Sequence, residues 1–199
     1  MHARGPRRTG WQPVLRPNKE LRAFFPPEPK LQRHFLSSVD LVMSVRERLE
    51  DAKVLWEKGR KQGAWIQVLI AAAATSRQRF PTKGDGEAFR QFIREVTPSI
   101  VDPTAPAIPG GVTVIFNADT SNQMPLDQVM YKHLRCHLLH EAVMPPEVRL
   151  SDSRRVDGKL VADLRAGTPL TIPDFWVIHL AKAVADAPEN AATCAGVFS

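Results

Sequence analysis

The sequence is poor in the residues from which disulfide frameworks and membrane helices are built. It contains only two cysteines, Cys136 and Cys194, among 199 residues. Two cysteines are too few for a disulfide framework and do not form a paired-thiol metal site, which favours a reducing compartment. The most apolar run, residues 65–74, is about half of the roughly 20 residues that a membrane helix needs. We therefore expect a cytoplasmic protein with no membrane span.

The motifs of several large enzyme classes are also missing. The chain has no glycine-rich phosphate loop, no paired Cys-x-x-Cys and no Gly-x-Ser-x-Gly elbow. Their absence excludes most nucleotide hydrolases, zinc ribbons and serine hydrolases. Any function of the chain therefore depends on residues outside these motifs.

Basic charge is concentrated at the N-terminus. The net charge is +6, but residues 1–30 hold seven basic and two acidic residues, which leaves a surplus of only one for the rest of the chain. Because it is rich in arginine and proline, segment 1–37 is predicted to be a disordered basic tail. Such a tail can speed encounters with an anionic partner, but it does not indicate a basic binding face.

Proline positions and hydrophobic spacing predict a mainly α protein. The 17 prolines confine the helices to windows between them. Helical spacing is found over residues 38–60, 64–79, 85–96, 126–142 and 174–185. Strand patterns are found over residues 112–116, 148–150, 160–164 and 170–172. We expect a four- to five-helix bundle over residues 38–186, with a short β insertion, a small β-arm and a frayed C-terminus at 187–199.

The fourth predicted helix carries the densest group of chemically capable side chains. Arg135 keeps its charge at any working pH, and its planar guanidinium can hold a phosphodiester through two donors. His140, five residues later, can change its charge near neutrality and so accept or donate a proton. This pair indicates phosphate chemistry.

A late helix of a bundle that carries Arg-x4-His, as Arg135 to His140 does, resembles the HEPN superfamily. The likeness spans roughly residues 38–186 and consists of the motif and the architecture. It implies a metal-independent endoribonuclease of toxin or defence systems, without a cofactor, in which Arg135 and His140 are catalytic. It also implies a homodimer whose motif helices meet at a twofold axis to form a cleft for RNA, and an antitoxin protein as a further partner.

The spacing of the motif makes this prediction depend on the dimer. On a straight α-helix, residues five apart point about 140° apart, so Arg135 and His140 of one chain cannot act as one pair. A cleft between two copies removes this difficulty. The structural alternative is that Arg135 caps a helix or makes a salt bridge across the bundle, while His140 ends a helix where positive charge is favoured.

Three neighbouring residues qualify the resemblance. The position after the motif arginine is commonly polar in active HEPN members, and here it is Cys136. His137 can supply the missing polarity, and Tyr131 lies one turn before Arg135, where it can orient the guanidinium. His137 and Tyr131 are therefore the expected supporting residues. The cysteine keeps open a non-catalytic helical domain that binds a nucleotide or a protein through the same cleft.

Two further interpretations of this helix are weaker. His133, His137 and Glu141 fall at i, i+4 and i+8, a spacing that can hold zinc or iron. A ferritin-like site would draw its carboxylates from several helices, so the main prediction includes no metal. Cys136 with His140 as its base would make a nucleophile, but a half-buried core cysteine is the simpler interpretation.

Overall fold

The computed structural model describes residues 38–116, 123–157 and 159–198, and the predicted basic tail 1–37 lies outside the described residues. Helices dominate this part of the chain, so the prediction of a mainly α fold is confirmed. None of the helices within the described ranges is both long enough and apolar enough to cross a membrane.

The first three helices form the centre of the fold. They are α1 (Ser38–Glu57), α2 (Lys61–Arg79) and α3 (Asp85–Val101). The chain turns from α1 into α2 at Gly59, whose φ of +68° favours glycine. Helix α2 packs against both α1 and α3, and it buries Trp65 and Leu69 completely. Its run of alanines allows these close approaches.

Helix α3 continues past the proline that was expected to end it. The prediction ended this helix at residue 96, but Pro98 lies inside it. A proline leaves the carbonyl four residues earlier without its helical donor. That carbonyl belongs to Arg94, and the backbone N–H of Val112 donates to it at 3.0 Å. The loop after α3 thus replaces the missing bond.

The packing of this loop on α3 shortens the predicted β insertion. Residues 112–114 are hydrogen-bonded to α3 and to the start of the next helix, where the N–H of Leu126 donates to the carbonyl of Val114 at 2.8 Å. Only Ile115–Phe116 is a strand, β1, which pairs antiparallel with β2 (Met124–Pro125). The predicted strand over residues 112–116 is therefore mostly loop.

Helix α4, residues 126–140, is continuous but not uniformly α-helical. It begins with the turn Leu126–Gln128, continues as a π-helix over Val129–Cys136 and ends with the turn His137–His140. It packs against α2 and α3. A π-helix bonds residue i to i+5 and has a wider turn than an α-helix.

The small β-arm that follows α4 is confirmed in outline. Strands β3 (Val148–Ser151) and β6 (Leu170–Pro173) pair in parallel, and between them β4 (Arg154–Val156) and β5 (Lys159–Val161) form an antiparallel hairpin. The chain then enters α5 (Trp176–Ala185), which packs on α2 and α3.

The prediction that residues 187–199 fray is wrong for the described part, residues 187–198. A short helix, α6 (Ala191–Cys194), packs on α1. Asn190, Cys194 and Val197 are buried. The Asn190 amide nitrogen donates to Thr75 Oγ1 of α2 and to the backbone carbonyl of Val184, both at 2.8 Å. The segment is thus fastened to the core by hydrogen bonds as well as by apolar contacts.

Candidate functional site

The candidate residues of α4 lie in two different kinds of helix. Tyr131 and Arg135 belong to the π-helical segment, whereas His140 belongs to the final α-helical turn. The expected straight α-helix is therefore absent over the first part of the motif. The buried residues Met130, Leu134 and Leu138 anchor α4 in the core, and the candidate residues lie between them.

Arg135 lies against the rings of Phe89 and Tyr131, which we call the aromatic shelf. Its guanidinium carbon is 5.4 Å from the centre of the Phe89 ring and 5.5 Å from the centre of the Tyr131 ring. Both distances are within the range of cation–π attraction, which contributes about 0.5–2 kcal/mol per contact. Arg135 is partly buried, and its Nε has no hydrogen-bond partner among the described residues. The salt bridge of the structural alternative is not present among the described residues.

The shelf itself is positioned by α3. The Phe89 and Tyr131 ring centres are 5.9 Å apart with their planes tilted by 46°. The Tyr131 hydroxyl lies over Gly86, where an added Cβ would come within 2.7 Å of the hydroxyl oxygen. The absence of a side chain at Gly86 therefore allows the tyrosine ring to lie beside Arg135.

A second arginine lies close to the first. Arg77, in the last turn of α2, donates two hydrogen bonds to Asp85, at 2.9 and 2.7 Å. These bonds are the main cause of the lowered pKa of the Asp85 carboxyl, and the positive charges of Arg77 and Arg135 contribute further. Asp85 therefore stays ionised and holds Arg77 in place.

Both arginines line one cavity between α2 and α4. Its volume is about 280 Å³, and its other walls are the apolar side chains of Ile70, Leu139 and two alanines of α2. Two guanidinium groups next to an apolar wall suit an anionic group that carries an apolar or aromatic portion. A phosphate joined to a nucleoside has that chemistry.

The predicted general base lies outside this cavity. His140 is exposed at the end of α4, and it is not among the residues that line the cavity, although its neighbour Leu139 is. Across the described ranges the side chain of His140 makes no hydrogen bond or ion pair. One chain thus places Arg135, but not His140, at the cavity.

The supporting residues have different surroundings. Tyr131 contacts Arg135 directly, as described above. His137 instead faces the end of its own helix, where its Nδ1 is 3.4 Å from a carboxylate oxygen of Glu141. Cys136 is a free and partly buried cysteine.

The alternative metal site at His133, His137 and Glu141 is not assembled. No group of three His, Cys, Asp or Glu side chains in the described part of the chain is arranged to hold a metal. Burial, aided by the charge of Lys132, lowers the pKa of His133, and its Nδ1 is buried without a partner. The wider π-helical turn around His133 moves residues four apart off a common face, which the sequence spacing did not reveal.

Sequence reasoning missed the residues that α2 and α3 contribute to the cavity. Arg77, Asp85, Gly86 and Phe89 come from another part of the chain, and only the packing of α4 on these helices brings them to Arg135. A short loop with Gly84 between Arg77 and Asp85 was the available signal, because it lets the end of α2 meet the start of α3.

One comparison with known proteins identifies a family. The model of the Rv1289 family matches residues 44–196, which include α2 to α6 and the whole β-arm. No curated protein and no solved structure matches the chain. The resemblance to the HEPN superfamily thus stays a prediction from the motif. The family model covers more than half of the residues of this chain, and the chain therefore belongs to the Rv1289 family.

Proposed function

We propose that this protein is a metal-independent, HEPN-type endoribonuclease that cleaves RNA in a cleft between two copies of the chain, in a toxin or defence system. The observation that carries the proposal is the state of Arg135. Its guanidinium is held on two aromatic rings at a cavity, and its Nε is unpaired among the described residues. An arginine held in this way is ready to bind a phosphodiester.

Exposed apolar groups near the end of α4 support the pairing of two copies. Leu139 is 37% exposed and Val143 is 61% exposed, and they flank His140 in the sequence. A second copy that covers these side chains would bring its own α4 close to the first cavity. The histidine of one copy would then approach the arginine of the other.

The proposed reaction is a transesterification within the RNA strand. His140 takes the proton of a ribose 2′-hydroxyl, the 2′-oxygen bonds to the adjacent phosphorus, and the bond from phosphorus to the 5′-oxygen breaks. His140 of the second copy gives a proton to the leaving 5′-oxygen. Arg135 stabilises the negative charge that builds on the phosphoryl oxygens. The products are a 2′,3′-cyclic phosphate and a 5′-hydroxyl.

The test is cleavage of single-stranded RNA by the full chain in EDTA. We expect His140→Ala and Arg135→Ala each to lower the cleavage rate by at least about a hundredfold, since positioned proton transfer and charge stabilisation each contribute that much. Lys132→Ala is the matched control, because Lys132 is an exposed cation on the same helix away from the cavity. It should cleave at the wild-type rate.

Two outcomes would refute the proposal. One is cleavage that persists in His140→Ala, which would assign the activity to another group. The other is a strictly monomeric wild-type protein in light scattering that still cleaves RNA, because one chain does not bring His140 to the cavity of Arg135. A substrate with a 2′-deoxy sugar at the cleaved position should resist cleavage.

A non-catalytic function is the second candidate, and a specific observation favours it. Arg135 and Leu139 line the cavity whereas His140 does not. A helical domain that only binds a nucleotide, RNA or a protein needs the arginine and the apolar wall, but no base. Wild-type protein that binds RNA through Arg135 without cleaving it, as a dimer or as a monomer, would select this function.

A further inference from the structure

A second and larger cavity shares no lining residue with the cavity beside Arg135. Its volume is about 740 Å³, compared with about 280 Å³ beside Arg135. It opens between the start of α2, the turn before β3, and β3 itself. We name it the α2–β3 groove, and its polar walls consist of Arg60, Lys61, Gln62, Arg149 and Asp152.

The groove has an excess of positive charge. Three of its side chains are basic and one is acidic. The acidic one, Asp152, pairs with Lys61 at 2.6 Å. Arg60 and Arg149 are exposed, and within the described ranges no ion pair or side-chain hydrogen bond involves either of them. The two arginines are therefore available to an anion.

Lys61 fixes the shape of the groove. Its ammonium group contacts Asp152 after β3 and the buried Asp174 before α5, each at 2.6 Å. Hydrogen bonds to these carboxylates raise the pKa of Lys61, with that of Asp152 contributing most. One cation thus ties the start of α2 to the residues that follow β3 and β6, and so joins the parts of the groove that carry Arg60 and Arg149.

The rest of the groove is lined mostly by apolar side chains. They are Met144, Pro145, Pro146, Val148, Leu150 and Pro169. The proline rings offer a rigid apolar surface against which a sugar or a base can pack. The first residues of α2, Lys61 to Gly63, also line the groove, and no side chain caps the start of this helix. The unbonded backbone N–H groups at the start of a helix carry a partial positive charge, which favours an anion near the arginines.

We infer that the α2–β3 groove binds a nucleotide, with its phosphate on Arg60 and Arg149 and its nucleoside against the proline wall. The nucleotide is either free or part of an RNA strand, and both sources present the same phosphate chemistry. This site is separate from the cavity of Arg135 and does not depend on cleavage at His140.

The experiment measures binding of three probes to the full chain: inorganic phosphate, AMP and a single-stranded RNA oligonucleotide. The test variant is Arg60→Gln/Arg149→Gln. The control is Lys132→Gln/Lys182→Gln, which removes the same charge from exposed cations outside the groove. Thermal unfolding, monitored by circular dichroism, checks that both variants fold.

We expect the test variant to bind AMP or RNA at least about tenfold more weakly, because a charged hydrogen bond contributes about 1.5–3 kcal/mol and 1.4 kcal/mol is tenfold in affinity. The control should lose much less. Binding of AMP identifies a free nucleotide as the ligand, and binding of RNA alone identifies a strand.

Three results would overturn the inference. The first is no binding of AMP or RNA by the wild type. The second is an equal loss in the test and control variants, which would reflect net charge alone. The third is binding of inorganic phosphate but not of AMP or RNA, which would remove the role of the proline wall. His140→Ala should leave binding in the groove unchanged, so failure of the cleavage assay is a separate result.

Discussion

Adding one methyl group at Gly86 should disturb the shelf that holds Arg135. A Cβ at this position would lie 2.7 Å from the hydroxyl oxygen of Tyr131 and 2.8 Å from the ring carbon that carries it. Relief of such overpacking costs about 1–3 kcal/mol. Alanine is favoured over glycine within a helix by up to about 1 kcal/mol. We therefore expect Gly86→Ala to lower the free energy of unfolding by about 1 kcal/mol.

Urea unfolding of a double-mutant cycle tests this reasoning. In a Tyr131→Ala background the ring is gone, so Gly86→Ala should raise the free energy of unfolding instead of lowering it. Gly84→Ala is the matched control, because an added Cβ there meets no atom within 4 Å. If Gly86→Ala stabilises the wild type as much as it stabilises the Tyr131→Ala variant, the contact with Tyr131 does not constrain the helix.

Three further predictions concern the core and the C-terminal segment. The hydrogen bond from Arg79 is the main cause of the lowered pKa of Glu189. The stabilisation by this pair is therefore complete above the ordinary glutamate pKa of 4.5, and it is lost as the pH falls through the lowered pKa of Glu189. Urea unfolding should thus show a steeper loss of stability in acid for the wild type than for Glu189→Gln, and equal slopes would contradict the prediction. Asn190→Ala should lower the free energy of unfolding by about 1–3 kcal/mol, since it leaves buried groups without hydrogen bonds, and a neutral effect in the same assay would mean that the segment is not fastened there. Burial raises the pKa of Cys194, so a thiol reagent at neutral pH should modify Cys136 first and Cys194 only after denaturant is added, whereas equal rates would place Cys194 at the surface.

The helices were predictable because their patterns are local. Apolar spacing and flanking glycines located α1, α2 and α5 to within a few residues. The end of α3 was not predictable, because its extension past Pro98 depends on a donor, the N–H of Val112, that comes from the following loop. That loop approaches closely at Gly111, which has a φ of +78° and whose Cβ would lie 2.5 Å from the Cβ of Arg94. A local pattern contains no information about such a contact.

The candidate site was predictable only in part. The sequence located Arg135 and Tyr131 one turn apart, and the structure places them in contact. It did not reveal Arg77 or Phe89, since their nearness to Arg135 results from the packing of three helices. The frayed end predicted at 187–199 failed for a related reason, because the burial of Asn190 depends on a hydrogen bond to Thr75, more than a hundred positions earlier.

The π-helical segment of α4 makes this region sensitive to chain length. A π-helical turn accommodates one residue more than an α-helical turn of similar rise. Removing a single residue between Tyr131 and Arg135 would let Val129–Cys136 relax into an ordinary α-helix. The part of α4 before the deletion would then rotate relative to Arg135, and the guanidinium would lose its contact with the Phe89 and Tyr131 rings, although every candidate side chain was still present. Substitutions preserve this register, whereas insertions and deletions do not.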